Sequence, residues 1–584
     1  MKKIASLFLI LTLMFLSMTS LVSCGLVEDG AEISVYLSDE VYDFDPAAAY
    51  TDDNTQLLIS LLFEPLFTLD EKGKVRNAAA KDYEIDRATG AMTITLRESY
   101  WSDGERVLAG DFVYAWRRVL DPEFASPAAT LLLDVKNAAK VRSGAEGYTI
   151  WDVGINAINE KTIRIEFEAG KDEDHTAFLR NLCSTMLAPV RSSNVQQSAD
   201  HWTKTAAELA CNGPFHLKQL NWVYGYLTLE RNSGYHRPSD SGRAADAYVT
   251  PSLVRTLWQT DTSISHDAYL KQMYDFFEQK VVFYIGAIAM EDRATTKGVK
   301  TEDRLSTYSY VFNTASSCAD LANPEIRAVL SSVIDREDAV SRYFVYGEAA
   351  TGLLPPSVMN HSRTSSFRKK GGDLLSVDAA SLDSAQQKLA ELGATFGAFS
   401  LTYNADHADE EALAHYVADR WEALGYTVNL RALGKLEVEA GDSTYSESGI
   451  QVAYETGDYD VIGIDFQMMS AGAFAPLAAF SSAYNGNTSG WVNATYDELI
   501  DRALAEQNAK KKAQILHEAE ELLLREMPIM PIMFRQTYYV QNTGLLKKVS
   551  FGYNGFPVFT KAKLRHYDRY FFDLLEDTFF PESE

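Results

Sequence analysis

Three features of the sequence predict an α/β fold. Short strand-like and helix-like segments alternate from Ile33 onward, residues 413–430 read as a complete helix, turn and strand, and residues 459–466 read as a short buried strand. With 584 residues, 46% hydrophobic and 12% aromatic content, the chain has the length for roughly three or four domain-sized units and the composition of a globular protein. No low-complexity tract or internal repeat interrupts it.

The N-terminus reads as an address. Lys2 and Lys3 form a basic start, residues 4–16 are apolar, and Leu21-Val22-Ser23-Cys24 closes the segment. Residues 1–23 are expected to be a signal peptide and 24–32 a tether. Loss of that leader, with its two lysines and no acid, takes the formal net charge from −27 to −29. So acidic a body repels nucleic acid and anionic lipid and argues against either as a partner. After Cys24 there remain Cys183, Cys211 and Cys318, an odd set that leaves at least one thiol free; a Cys183–Cys211 bridge stays open. Neither Cys-x-x-Cys nor a Cys/His spacing for zinc occurs, and ten scattered histidines make no metal cluster, so no metal or cofactor is expected.

Along the chain, Asp45-Pro46 is expected to end the first strand and residues 57–62 to form an apolar helical stretch before Glu64-Pro65. Met92, Ile94 and Leu96 alternate with Thr93 and Thr95, the period of a half-buried strand. Trp101-Ser102-Asp103-Gly104 supplies a turn. Asp111 then serves as a cap for a helix with Phe112, Ala115, Trp116 and Val119 on one face, stopped by Pro122. Asn323-Pro324 suits the cap and first position of another helix. Gly425 ends a helix carrying Leu413 and Val417, and Tyr426, Val428 and Leu430 begin a strand. A single closing helix is expected over 496–525, broken by Pro528 and Pro531.

Residues 459–466 deliver one carboxylate, Asp465, at the end of an apolar run. A charge there must find a counter-charge or water, which leaves two readings open: a structural ion pair, or an acid facing a ligand cleft.

The block Trp101-Ser102-Asp103-Gly104 followed by Ala109-Gly110-Asp111-Phe112-Val113-Tyr114-Ala115-Trp116-Arg117-Arg118-Val119-Leu120-Asp121-Pro122 closely resembles the signature of the extracellular solute-binding proteins of family 5, and within it the oligopeptide-binding proteins of ABC importers. Asn212-Gly213-Pro214-Phe215 with Leu229-Glu230-Arg231-Asn232, then Tyr310-Val311-Phe312-Asn313-Thr314, Asn323-Pro324-Glu325 and Ile334-Asp335-Arg336, resemble further family motifs in order. The resemblance implies a type II periplasmic-binding-protein-like two-lobed clamshell with an extra domain inserted in the first lobe. On that basis lobe I takes residues 33–67, 194–305 and 547–584, the insertion 68–193 and lobe II 306–546, with hinge strands near 307–312 and 540–549.

The resemblance also implies function. Cys24 is similar to the lipidated cysteine of bacterial lipoproteins, which places the body outside the cytoplasm, held to the membrane by a lipid anchor. The expected ligand is an oligopeptide held in the interlobe cleft and passed by a monomer to the transmembrane subunits of an ABC permease. The alternatives are another solute, such as a muropeptide, an oligosaccharide or a metal chelate, or a peptide sensor or chaperone without transport. Asp465 matches the family's acid for the ligand ammonium, Phe466 its neighbouring aromatic and Gly463 a backbone contact, while Ile462 stands where the family usually has Trp. Trp491, in the loop that begins Asn485-Gly486-Asn487, is a candidate cleft wall. Catalysis is not expected: no nucleophile elbow, zinc helix or phosphate loop occurs, and His517-Glu518 has Glu521 where a zinc helix needs its second histidine.

Overall fold

A computed structural model describes residues 32–564, apart from 38–40, 49, 51–52, 125, 169–174, 199–201, 223–224, 236–247, 259–282, 286–297, 345, 441–442 and 485–486. The expected leader, tether and Cys24 lie outside the described residues, as does the start of the Asn485-Gly486 loop.

The first part of the chain contributes β1 (Glu32–Leu37), α1 (Asp53–Leu62), β2 (Ala80–Ile85), β3 (Met92–Leu96), α2 (Ala109–Leu120), β4 (Ile155–Asn159) and β5 (Thr162–Ile165). The middle adds β6 (Phe215–Asn221), β7 (Tyr226–Arg231), β8 (Leu253–Leu257), β9 (Phe283–Ile285), β10 (Val299–Phe312), α3 (Pro324–Ser332) and β11 (Gly347–Ala349). The last part holds β12 (Ala398–Asn404), α4 (Ala408–Glu422), β13 (Thr427–Leu433), β14 (Val461–Gln467), α5 (Ala494–Ala505), α6 (Ala509–Glu526) and β15 (Ile529–Gln541).

Among the described residues, eleven strands join in one mixed sheet, in the order β13-β12-β14-β10-β15-β9-β1-β8-β7-β6, with β11 also on β15. A separate antiparallel sheet, β2-β3-β5-β4, lies within the stretch expected as an insertion. The long pair β10 and β15 carries the main sheet from one half to the other: Phe283 of β9 pairs with Gln541 at one end, and Val461–Gln467 pairs with β10 at the other. Their register breaks once between the halves. Asp303 pairs with Gln536 and Thr307 with Phe534, so Arg304, Leu305 and Ser306 stand against the single residue Arg535, a bulge that kinks the pair. This irregularity precedes the expected 307–312 stretch, which pairs with residues 529–534 apart from a one-residue shift at Tyr308/Ser309.

Local sequence explains most elements. The apolar face of α2 buries Phe112, Ala115, Trp116 and Val119 as expected, but Asp111 is inside the helix and not its cap; its carboxylate accepts the Leu108 N–H at 2.8 Å and the Trp101 indole N–H at 3.2 Å. Asn323 Oδ1 accepts the Glu325 N–H at 3.0 Å and Pro324 opens α3. The single closing helix is two helices. Asn508 breaks it by accepting the backbone N–H groups of Lys510 and Lys511, which starts α6 afresh. Pro531 lies within β15 at a second register shift, opposite Ser309, where its missing N–H is tolerated. The first strand ends at Leu37, and Asp45 instead holds Arg118 through both carboxylate oxygens.

One apolar core joins the β1 half of the sheet to the four-stranded unit, through Ile33, Phe63, Met92, Trp116 and Leu217 among others. Two more cover the faces of the other half. Ile462, Ile464 and Phe466 of β14 pack with Leu499 of α5 and Leu523 of α6, while Val461 packs with Tyr308, Leu401 and Val417 on the opposite face. Cys183, Cys211 and Cys318 are all free, so the open question of a Cys183–Cys211 bridge resolves as no bridge.

Candidate functional site

The strand β14 delivers its residues to two environments. On one side it pairs with β10 along its whole length, Thr307 facing Phe466, Tyr308 facing Asp465 and Tyr310 facing Gly463. On the other side β12 pairs only with Val461 and Ile462. Beyond Ile462 this edge pairs with no further strand among the described residues.

A cavity of about 640 Å³ opens beside the end of this strand. It is lined by Gln467, Met469 and Ser470 from the β14 side and by Phe63, Arg180 and Tyr553 from the opposite half. A second cavity of about 20 Å³ touches Ile464, Asp465 and Phe466 themselves and shares Tyr50, Gln467 and Met469 with the first.

Hydrogen bonds join the two halves around these cavities. Tyr42 Oη donates to Asp406 Oδ2 at 2.9 Å and Gln451 Nε2 donates to the Ala48 carbonyl at 2.7 Å. On the other flank Thr130 Oγ1 donates to the Ala475 carbonyl at 3.0 Å, Arg142 Nε to the Tyr484 carbonyl at 3.2 Å, and Ser470 Oγ to Asn181 Oδ1 at 2.9 Å. Burial, then the charge of Glu455, holds the Tyr50 hydroxyl well above the usual phenol range, and burial raises Glu455 in turn against hydrogen bonds from Gln451 and Tyr50.

Asp465 is held by an ion pair. Arg535 Nε donates to its Oδ1 at 2.6 Å and Nη2 to its Oδ2 at 3.0 Å, while the same Nη2 donates to Glu410 Oε1 at 2.9 Å. The three side chains are only 9%, 15% and 5% exposed for Asp465, Arg535 and Glu410. The guanidinium also lies over the rings of Tyr308 and Phe344, at 4.9 and 5.2 Å. Burial alone would lower the Arg535 pKa; the charges of Asp465 and Glu410 outweigh it and hold the group well above its ordinary value.

The other expected residues fall in different places. Gly463 lies under a tyrosine: a Cβ there would stand 2.3 Å from Tyr308 Oη and 3.1 Å from Tyr310 Cε1, so the position excludes any larger side chain. Phe466 is buried against Phe480, with ring centroids 5.2 Å apart, and borders the small cavity. Trp491 lines neither cavity; it packs in the core against Tyr496 at 5.0 Å. Arg535, Tyr50 and Glu455 had no signal in the sequence. Arg535 and Tyr50 enter the site from elements distant in the chain, whereas Glu455 and Met469 flank β14 on either side.

The family model of the bacterial extracellular solute-binding proteins, family 5 Middle, matches residues 74–488. The dipeptide-binding protein DppE of Bacillus subtilis is 25% identical over 512 residues, 86% of either chain. The periplasmic murein peptide-binding protein MppA of Escherichia coli is 28% identical over 538 residues, covering 89% of this chain and 90% of that one. Among solved structures, Listeria monocytogenes OppA bound to peptide superposes with a TM-score of 0.73 at 20% identity, over 92% of this chain and 99% of that one. A structure of E. coli MppA also gives 0.73 at 23% identity, over 93% of this chain and all of that one, whereas its unliganded open form gives 0.54, over 92% and 98%. The architecture is therefore the two-lobed α/β solute-binding fold that the sequence motifs imply.

Proposed function

Because the chain belongs to the bacterial extracellular solute-binding proteins of family 5, we propose that it captures oligopeptides in the cleft between its lobes and delivers them to an ABC-type permease. It is a binding protein and not an enzyme, as its relatives are. The observation that carries the peptide reading is the cavity lined from both halves beside the end of β14. Its volume of about 640 Å³ lies within the range of about 300–1,000 Å³ usual for ligand sites, and charged, polar and aromatic side chains line it. Main-chain hydrogen bonds from the cleft walls read a peptide through its backbone, each contributing about 0.5–1.5 kcal/mol, so ligands of many sequences are accepted. Gly463 and Phe466 then lie along the bound peptide.

In this reading residues 33–67, 194–305 and 547–584 form lobe I, 68–193 the inserted domain and 306–546 lobe II. The kink of the long strand pair at 304–306 and the separate sheet within the insertion support that division. The protein acts as a monomer outside the cytoplasm, attached through a diacylglyceryl group on Cys24. No described helix is long and apolar enough to cross a membrane.

Mass spectrometry of ligands released from the purified protein by mild unfolding tests the cargo. Peptides of mixed sequence are expected; recovery of a single non-peptide solute overturns the reading, and recovery of muropeptides alone narrows it to cell-wall fragments. Cys24→Ala should move the protein from the membrane fraction to the soluble fraction. Reconstitution with the cognate permease should show peptide-dependent ATPase stimulation, and its absence would leave a sensor or chaperone.

A further inference from the structure

We infer that residues 130–142 of the inserted domain form a clasp on lobe II, which sets how tightly the protein holds every ligand while contacting none of them. This rests on the peptide-binding reading and the domain division above, and adds to them the part that the insertion plays in capture.

The first ground is packing. The insertion shares its apolar core with the β1 half of the sheet, so it moves with lobe I. Yet Leu133, 1% exposed, belongs to the apolar cluster of lobe II that contains Ile462, Phe474, Phe480 and Tyr484, and Ala139 packs against the same cluster. In exchange Ala475 of lobe II, also 1% exposed, enters the core of the insertion's half. Side chains that cross in both directions bury their apolar surface only while the two bodies are together.

The second ground is the polar contacts around that crossing. Thr130 Oγ1 lies 3.0 Å from the Ala475 carbonyl and 2.9 Å from the Pro127 carbonyl, one hydroxyl proton serving both. Arg142 is fully buried. Its Nη1 donates to the Asp121 and Phe124 carbonyls within the insertion at 2.5 and 2.9 Å, and its Nε to the Tyr484 carbonyl of lobe II at 3.2 Å. Nη2 has no partner among the described residues. A guanidinium buried on carbonyls, with no carboxylate bonded to it, costs free energy. The clasp therefore sets an apolar gain against a charge penalty, which keeps it reversible.

The third ground is its position relative to the ligand space. Thr130, Leu133, Ala139, Arg142, Ala475 and Tyr484 line neither cavity. Ser470 does line the larger one, and its hydroxyl donates to Asn181 Oδ1 at 2.9 Å, while Asn181 Nδ2 donates to the Leu131 carbonyl at 3.0 Å. A ligand that fills the cavity thus meets a wall fastened to the clasp. The clasp favours the closed arrangement by the same amount whatever that ligand is, so it scales all affinities together.

The test is calorimetry with three peptides of different length and charge, titrated into the wild-type protein, Leu133→Ala and Ala139→Glu. Leu133→Ala removes the crossing side chain. Ala139→Glu sets a charge against lobe II from a partly buried position outside the insertion's own core. We expect each variant to raise all three dissociation constants by one common factor of about tenfold. A factor under about threefold in either variant, or one that differs among the peptides by more than about threefold, would overturn the inference, the latter because it marks a ligand subsite. Should Leu133→Ala fail to fold, Ala139→Glu decides by the same criteria. A wild-type protein that binds no peptide would overturn the peptide reading instead. The clasp is then read by hydrogen exchange without ligand: Ala139→Glu should speed exchange in both 130–142 and 473–484, and unchanged exchange in 473–484 overturns it.

Discussion

Replacing Arg535 by methionine removes the cation that stands between Asp465 and Glu410 while keeping an unbranched apolar stem between Tyr308 and Phe344. Two carboxylates that are 9% and 5% exposed then face one cluster without the guanidinium. Removing one partner of a buried ion pair costs about 3–5 kcal/mol, because the remaining charge is left uncompensated. Here the loss of the charge over two rings adds about 0.5–2 kcal/mol, while His407, whose Nδ1 lies 3.0 Å from Glu410 Oε1, and the small cavity at Asp465 soften the effect. We expect a net loss of about 3–4 kcal/mol at pH 7. Urea denaturation measures it, as a lowered midpoint at unchanged slope. Adding Asp465→Asn to Arg535→Met should return at least half of the loss, because it removes one of the stranded charges, so the double-mutant cycle should show coupling of about 2 kcal/mol plus whatever Asp465→Asn costs on its own. A loss under about 1 kcal/mol for Arg535→Met would refute the reasoning, since it would mean that the two acids are hydrated in the folded protein.

Other predictions follow from the same geometry. Gly463→Ala drives a Cβ into Tyr308 Oη and should destabilise the protein by about 1–3 kcal/mol, read from the same denaturation curves; a neutral effect would mean that the tyrosine moves aside freely. His517, stacked on Phe367 at 3.9 Å, is held down to about 4 by burial and then by the charge of Arg368. Below its unfolded value of about 6.5 the unfolded chain takes up a proton that the folded chain refuses, so this residue removes stability as pH falls from about 6.5 to about 4. His517→Phe should flatten that limb by about 2 kcal/mol after allowance for partial exposure, and parallel curves for the two proteins would contradict the assignment. Tyr42→Phe combined with Gln451→Ala deletes two hydrogen bonds between the lobes, each contributing about 0.5–1.5 kcal/mol. The pair should expand the radius of gyration measured by small-angle scattering without peptide and weaken peptide binding by up to about tenfold; unchanged scattering would show that these contacts do not hold the lobes together.

Where neighbours in the chain decide the structure, the sequence was readable. The apolar face of α2, the Asn323-Pro324 start of α3, the unit from α4 to β13 and the strand that became β14 all follow from spacing and from local turn chemistry. Asn508 was missed because the apolar period continues across it, and only its side chain, folding back onto the next two N–H groups, shows the break. Asp465 shows the deeper limit. Its place at the end of a buried strand was legible, but its partner lies 70 residues on, in a strand where Arg535-Gln536-Thr537 looks like any solvent-facing run. The bulge opposite 304–306 aims that arginine inward, and no pattern within either segment encodes it. Trp491 meets a related limit: a Trp in a loop reads the same whether the loop edges a cleft or folds under a helix, and here it packs on Tyr496.

The three free thiols carry a consequence for life outside the cytoplasm. Burial pushes Cys211 up to about 12 and raises Cys183 and Cys318 as well, so almost no thiolate exists at neutral pH to attack an oxidant or another chain. None of these three cysteines needs an oxidase or a disulfide isomerase to reach its place in the fold. With these three thiols free and buried, reducing agents should leave the melting temperature unchanged.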